Sequence, residues 1–327
     1  MGTPKSIPPS LARAGHISLF SFSTTSFFVS SLSLLFSSLH IFRLLLLLLP
    51  LTSSSPSPLH KTMAIPPAVL KTLNLVTYII VVTALAFHRE LIDKIYQERQ
   101  NFLTTTPSGL IIPALVWFLL GGFVLVQWFD FAHDYVVEAI EWNLLASNLV
   151  MTAWIFTWRL DWLLVGELLT IVNAVLIWRL YIKKHVFTAT NLIDYIFVHV
   201  PFSIYAGLVW FDVFQNFFAA FTTKEGGPTS WTAFAAAGAI VICLAIGDYH
   251  AEWSRDPDSW AAITIGLLLL SIGAEQGAEV PIIFVTCMIS VGFLLNALIR
   301  RFVNTIITWH QRNMDDYAPG ERRHLLG

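Results

Sequence analysis

Tyr205, Asp212 and Asn216 are spaced seven and four residues apart in one long apolar stretch, which stacks all three on a single helical face. A carboxylate in hydrocarbon is costly and turns to the interior of a helix bundle, to touch a ligand or carry a proton; one near a helix end simply stays hydrated. Asp212 fits either description. Glu167 poses the same question in the preceding stretch, five residues from Trp162 and close to an interface, with Asn173 further along the same segment. Asn143, Ser147, Thr152 and Trp154 gather small polar groups on the stretch before that, a composition that glues transmembrane helices or meets a ligand. Pro201 removes one backbone N–H and exposes a carbonyl that a neighbour must satisfy, which shapes the helix or lines a cavity.

Metal and cofactor chemistry finds fewer residues. His88, His133, His185 and His250 fall at segment ends or in links, leaving His199 inside, so a haem held by paired intramembrane histidines is not expected. Asp248, His250 and Glu252 alternate along what reads as a short loop, as in many hydrated turns, and no metal site is assigned to them. Zinc spacings of the CxxC or HExxH type do not occur, and neither a GxSxG elbow nor a local Ser-His-Asp arrangement can be assembled. No catalytic residue, metal or cofactor is therefore assigned. Cys243 and Cys287 lie in apolar segments and read as small packing residues.

The elements that must position these side chains follow from composition. The chain has 327 residues, 56% hydrophobic and 12% charged, whereas soluble domains carry about 25% charged residues. A bilayer must solvate most of it. Apolar runs of suitable length recur at about 68–87, 108–128, 143–159, 162–180, 193–217, 231–247, 258–274 and 280–299, several with indole at their rims, where Trp prefers the headgroup boundary. The expected fold is all-α: a multi-pass transmembrane helical bundle of about eight spans, occupying residues 63–300 as one domain. With a net charge of −2 and no arginine-rich stripe, nucleic acid is not an expected partner; membrane lipids are. An even number of spans puts both ends on one side, and the basic tail, residues 301–327, marks that side as cytosolic. Arg179, Lys183 and Lys184 agree with this orientation. Arg89, Lys94 and Arg99 oppose it, but they alternate with Glu90, Asp93 and Glu98 and suggest an amphipathic helix lying at the interface.

Residues 1–62 differ from all that follows: Ser, Leu, Phe and Pro dominate, and no acidic residue occurs. Three readings stand. They are a signal anchor over Phe20–Leu51 interrupted by Arg43, an untranslated leader with Met63 as the start, and a disordered or transit-type extension poor in arginine. The second is preferred, so this low-complexity extension is not expected to join the fold. At the other end Glu321 precedes Leu325 and Leu326 by four and five residues, a spacing that resembles acidic dileucine signals and implies an endosomal or vacuolar address.

Four motifs resemble, in order, those of the larger relatives of the TspO/MBR family, the tryptophan-rich sensory and translocator proteins. They are Pro113-Ala-Leu-Val-Trp117 with Gln127 at the helix end, Asn148-Leu-Val-Met-Thr-Ala-Trp154-Ile-Phe-Thr-Trp158, Pro201-Phe-Ser-Ile-Tyr205-Ala-Gly207 with Asn216, and Trp260-Ala-Ala-Ile-Thr-Ile. The resemblance covers roughly residues 105–275. Where the family pattern has Trp just after the glycine, Leu208 stands here, with Trp210 two places on. The resemblance implies a bundle whose aromatic-lined cavity takes a small hydrophobic molecule, tetrapyrrole or sterol in class, without a settled enzymatic turnover. It implies Trp117, Asn148, Trp154, Trp158, Phe202, Tyr205 and Asn216 as the ligand-binding residues. Two rival classes remain: a lipid-modifying membrane enzyme using Asp212, Glu167 or the Asp248–Glu252 turn as acid or base, and a scaffold that binds partner helices. Self-association as a homo-oligomer is left open.

Overall fold

The computed structural model describes residues 66–184, 186–221, 230–253, 259–277 and 279–317. All of them lie in the unit Lys61–Gly327. The N-terminal extension and the Glu321–Leu326 motif are outside the described residues.

Among the described residues eight α-helices have 16 or more residues, and each coincides with one of the expected segments. They are α1 Pro67–Glu98, α2 Ile111–Val126, α3 Asn143–Arg159, α4 Leu163–Lys184, α5 Val200–Phe221, α6 Ser230–Asp248, α7 Trp260–Gln276 and α8 Pro281–Tyr317. Six stretches are long and apolar enough to cross a membrane, built on α1, α2, α4, α5, α6 and α8. The other two helices, α3 and α7, have 17 residues each, about 26 Å at 1.5 Å per residue, against a hydrocarbon core of about 30 Å. Their surroundings compensate. α3 packs on α1 and α4, and α7 lies against α5, α6 and α8, so both are shielded by longer neighbours.

Two expectations about helix ends change. The charged run Arg89–Arg99 is no separate interfacial helix: α1 continues unbroken to Glu98, because nothing in the run is a helix breaker. Arg99, just past its end, then reaches across the bundle. Its guanidinium holds both carboxylate oxygens of Asp161 at 2.9 and 3.2 Å in the tight turn between α3 and α4. Asp161 has φ of 57°, a left-handed conformation that Asp tolerates better than most residues. The Asp248–Glu252 segment, read as a loop, is instead a π-helical turn, Tyr249–Trp253, that prolongs α6.

Tryptophan divides into two populations. Trp128, Trp142, Trp162 and Trp231 are exposed at helix ends, as a headgroup belt requires, whereas Trp154, Trp158 and Trp178 are buried in the bundle.

Candidate functional site

The interior of the bundle is organised by α3, on which Ser147 and Asn148 are adjacent and therefore address different neighbours. The Asn148 amide donates to the Thr77 hydroxyl on α1 at 3.2 Å. That hydroxyl donates to the main-chain oxygens of Leu73 and Asn74. The Asn74 amide donates to the side-chain oxygen of Gln127 at 3.3 Å, and Gln127 donates to the carbonyls of Lys71 and Val124 at 2.9 and 3.0 Å. On the other side Ser147 donates to Asn173 at 2.6 Å, and the Asn173 amide donates to the Tyr205 hydroxyl at 3.0 Å. Five helices are thus tied by side-chain hydrogen bonds in a medium where an unmade bond costs the full desolvation of the group.

Aromatic rings continue from the end of this network. The Trp117 ring lies 6.1 Å from Tyr205 at 55°, and the Tyr78 ring 6.4 Å from Trp117, with the Tyr78 hydroxyl donating to the Trp117 carbonyl at 2.8 Å. Phe202 is buried edge-on to Phe123 at 5.2 Å. Trp154 and Trp158, centroids 5.2 Å apart, form a packed core with Val81, Ile155, Leu163 and Ala219. Trp154 also donates to the Asn216 side-chain oxygen at 3.2 Å. All seven residues implied by the resemblance therefore face protein: Trp117 and Tyr205 touch each other, Trp154 joins Trp158 to Asn216, Asn148 belongs to the polar network, and Phe202 packs apart.

A groove of about 470 Å³ opens beside this wall, lined by Leu75, Tyr78, Phe118, Gly121, Gly122 and Phe197 among others. None of the seven lines it. Tyr78 is the residue shared by groove and wall. Gly121 and Gly122 are required there, since a Cβ on Gly121 would meet the Tyr78 hydroxyl and one on Gly122 the Phe197 ring. Asn74, Thr77 and Tyr78 escaped the reading of the sequence, although polar groups at spacings of three and four in an apolar helix are a visible sign of an inward face.

Lys184 is a correction of another kind. Read as a charge in a cytosolic link, it is instead 2% exposed at the end of α4. Its ammonium donates to the His199 carbonyl at 3.2 Å and to the Ser203 hydroxyl, and lies 5.1 Å over the Tyr181 ring. The long stem lets a lysine be buried while its head finds partners near the helix end. Those partners sit around the π-helical turn Tyr195–His199 that precedes Pro201, the local distortion expected of an intrahelical proline.

The acid and base candidates are dispersed. Glu167 is buried, and among the described residues its Oε2 has no hydrogen-bond partner. Asp212 is half-buried beside the fully inward Tyr205 and Asn216, its main-chain oxygen accepting from the Asn216 amide at 2.8 Å. His250 packs edge-on against Tyr181 and Trp178 at 4.8 and 5.4 Å, while Glu252 pairs with Arg300. No three His, Cys, Asp or Glu side chains among the described residues lie close enough to share a metal ion. Trp210 stands edge-on to Trp178 at 5.9 Å, on a different face of α5 from Tyr205.

These features define a polytopic α-helical membrane protein in which interior polar groups tie neighbouring helices together. The family model described as TSPO-like protein matches residues 68–300, and the chain belongs to that family. The match takes in α1 with Asn74, Thr77 and Tyr78, and most of the spanning part of α8, beyond the motifs that carry the resemblance. No curated protein and no solved structure matches the chain.

Proposed function

We propose that this protein binds a small, flat or amphipathic hydrophobic molecule of the tetrapyrrole or sterol class and moves or buffers it in the membrane. The observation that carries the reading is the groove of about 470 Å³ backed by Tyr78, a size within the roughly 300–1,000 Å³ of small-molecule sites. The Tyr78 hydroxyl is bonded to the Trp117 carbonyl, the Trp117 ring lies on Tyr205, and Tyr205 accepts from Asn173, so the wall behind the groove leads inward to the Asn173–Ser147 pair, which the ligand is proposed to reach. Aromatic faces then clasp the flat body, and the amide and hydroxyl orient its polar end. Of the seven residues, Trp117 and Tyr205 touch ligand, while Asn148, Trp154, Trp158, Phe202 and Asn216 hold the frame.

Titration of the purified full chain with protoporphyrin and, separately, cholesterol tests this. Saturable binding that is weakened by Tyr78→Ala while the fold is kept supports the reading; absence of saturable binding to the parent protein removes it. The membrane in which it acts we assign to the endosomal or vacuolar type, on the strength of the Glu321–Leu326 spacing.

A further inference from the structure

A second groove, of about 690 Å³, lies away from the first, between the π-helical turn Tyr249–Trp253 and α8, lined by Glu252, Arg300, Arg301, Asn304, Thr308 and Trp309 among others. Its depth follows from helix length. Arg300 is the twentieth residue of α8 counted from Pro281, and at 1.5 Å per residue that is about 30 Å, one hydrocarbon thickness. Glu252 closes the neighbouring span, Trp231–Glu252. Both walls thus reach the headgroup layer together.

We infer that this groove seats the headgroup of an anionic phospholipid. Two adjacent arginines supply the charge. Arg301 is anchored, its guanidinium donating to the carbonyls of His250 and Ala251 at 3.2 and 2.6 Å, so it stands fixed at the inner wall. Arg300 is the exposed partner: its side chain is 57% exposed and pairs with Glu252, itself 30% exposed. Such exposed pairs are weak because solvent screens them and two long side chains must be ordered. A phosphate diester offers the same guanidinium planar, bidentate recognition and displaces the carboxylate. The Thr305 and Thr308 hydroxyls donate back to the carbonyls of Arg301 and Asn304. The remaining donors are then the Asn304 amide and the Trp309 indole, the latter 64% exposed and further out along α8. Two guanidiniums, one of them held beside the Glu252 and Asp248 carboxylates, recognise a phosphate bidentately in walls built from two span ends, and together these select a membrane phosphate over a soluble one.

The test uses the full chain in phosphatidylcholine vesicles containing a minor fraction of phosphatidylglycerol, with native mass spectrometry counting the retained lipids. The parent protein retains phosphatidylglycerol in preference to phosphatidylcholine. Arg300→Gln lowers that preference about fivefold, the factor corresponding to the ~1 kcal/mol that one basic residue contributes near an anionic surface. Glu252→Gln raises it, because the competing carboxylate is gone; a mere folding defect would not. The inference is overturned if Arg300→Gln keeps the parent's preference, if Glu252→Gln lowers it, or if inorganic phosphate strips phosphatidylglycerol from the protein, which would mark a free-anion site.

Discussion

The indole nitrogen of Trp154 donates to the side-chain oxygen of Asn216 across 3.2 Å, fastening α3 to α5. Asn216 in turn donates to the carbonyl of Asp212 at 2.8 Å, so its amide is oriented before it meets the tryptophan. Trp154→Phe leaves the Asn216 oxygen short of a donor, and Asn216→Leu leaves the indole N–H unpaired; each is expected to cost about 1–3 kcal/mol. The double variant costs less than the sum, because neither partner is left stranded. Reversible unfolding in mixed micelles measures all three, and simple additivity would show that the bond carries no coupling.

Ligand affinity and stability separate at different tryptophans. Trp117→Ala and Tyr205→Ala are expected to weaken ligand binding by about 1–3 kcal/mol each, through lost stacking and buried area. Trp154→Ala instead acts on the fold, with a cost of about 3–5 kcal/mol for emptying a packed aromatic position. Trp309→Ala leaves hydrophobic-ligand affinity unchanged. Equal losses of affinity at all four positions would point to general unfolding and not to a site.

Close approach of α5 and α7 depends on Gly207. A Cβ there would come within 2.5 Å of the Ala261 carbonyl oxygen and 3.1 Å of its Cα. Backbone cannot rotate aside as a side chain does, so Gly207→Ala is expected to cost about 1–3 kcal/mol or more. Gly238→Ala is the control: nothing lies within 4 Å of its would-be Cβ, and removing a helical glycine gains roughly 0.5–1 kcal/mol. Thermal unfolding of the two variants should move in opposite directions.

How much of this was legible beforehand depended on the range of the signal. Apolar runs of bilayer length are local, and each of the eight expected segments is a helix. The inward face of Tyr205 and Asn216 followed from their spacing, and both are buried. The π-helical turn at Tyr195–His199 has a visible source in Pro201, but those at Tyr135–Ile140 and Tyr249–Trp253 were not legible, because an extra residue per turn leaves no compositional mark of its own and is set by what packs against it. Lys184 was misplaced for a related reason: a lysine beside Lys183 at a helix end looks solvated until Ser203 and the His199 carbonyl are brought to it. The groove behind Tyr78 depends on three elements distant in sequence, and motif spacing could not outline it.

The basic side chains sort into the two ends of the bundle. His88 and Arg159 meet at 3.1 Å and Arg99 pairs with Asp161, so Arg89, Lys94, Arg99 and Arg159 share one end of the bundle. Lys183 pairs with Glu141 and Arg301 meets the His250 carbonyl at the opposite end, with Lys184 and Arg300. That second end, also the end of α8, is expected in the cytosol because the basic residues from Arg300 onward follow it in the sequence. Cys243 and Cys287 are buried and give a quiet background for labelling. Ile306→Cys should react with an impermeant maleimide from the cytosolic side only, and Glu90→Cys from the opposite side only; the reverse pattern inverts the topology.

The last prediction joins this orientation to the distal tail. α8 continues as helix to Tyr317, and residues 299–311 are exposed apart from a half-buried Arg301; Glu321, Leu325 and Leu326 follow in the sequence. Adaptor coats read an acid followed by two leucines on cytosolic tails, and a terminal segment can be captured without unfolding the domain that bears it. Changing Leu325 and Leu326 together to Ala is therefore expected to shift the protein from endosomal or vacuolar membranes toward the cell surface, with bundle stability unaltered. Imaging of a protein tagged between Thr222 and Thr229 follows the shift and leaves the terminus free. An unchanged distribution, or Ile306→Cys labelled from the lumenal side, removes the address.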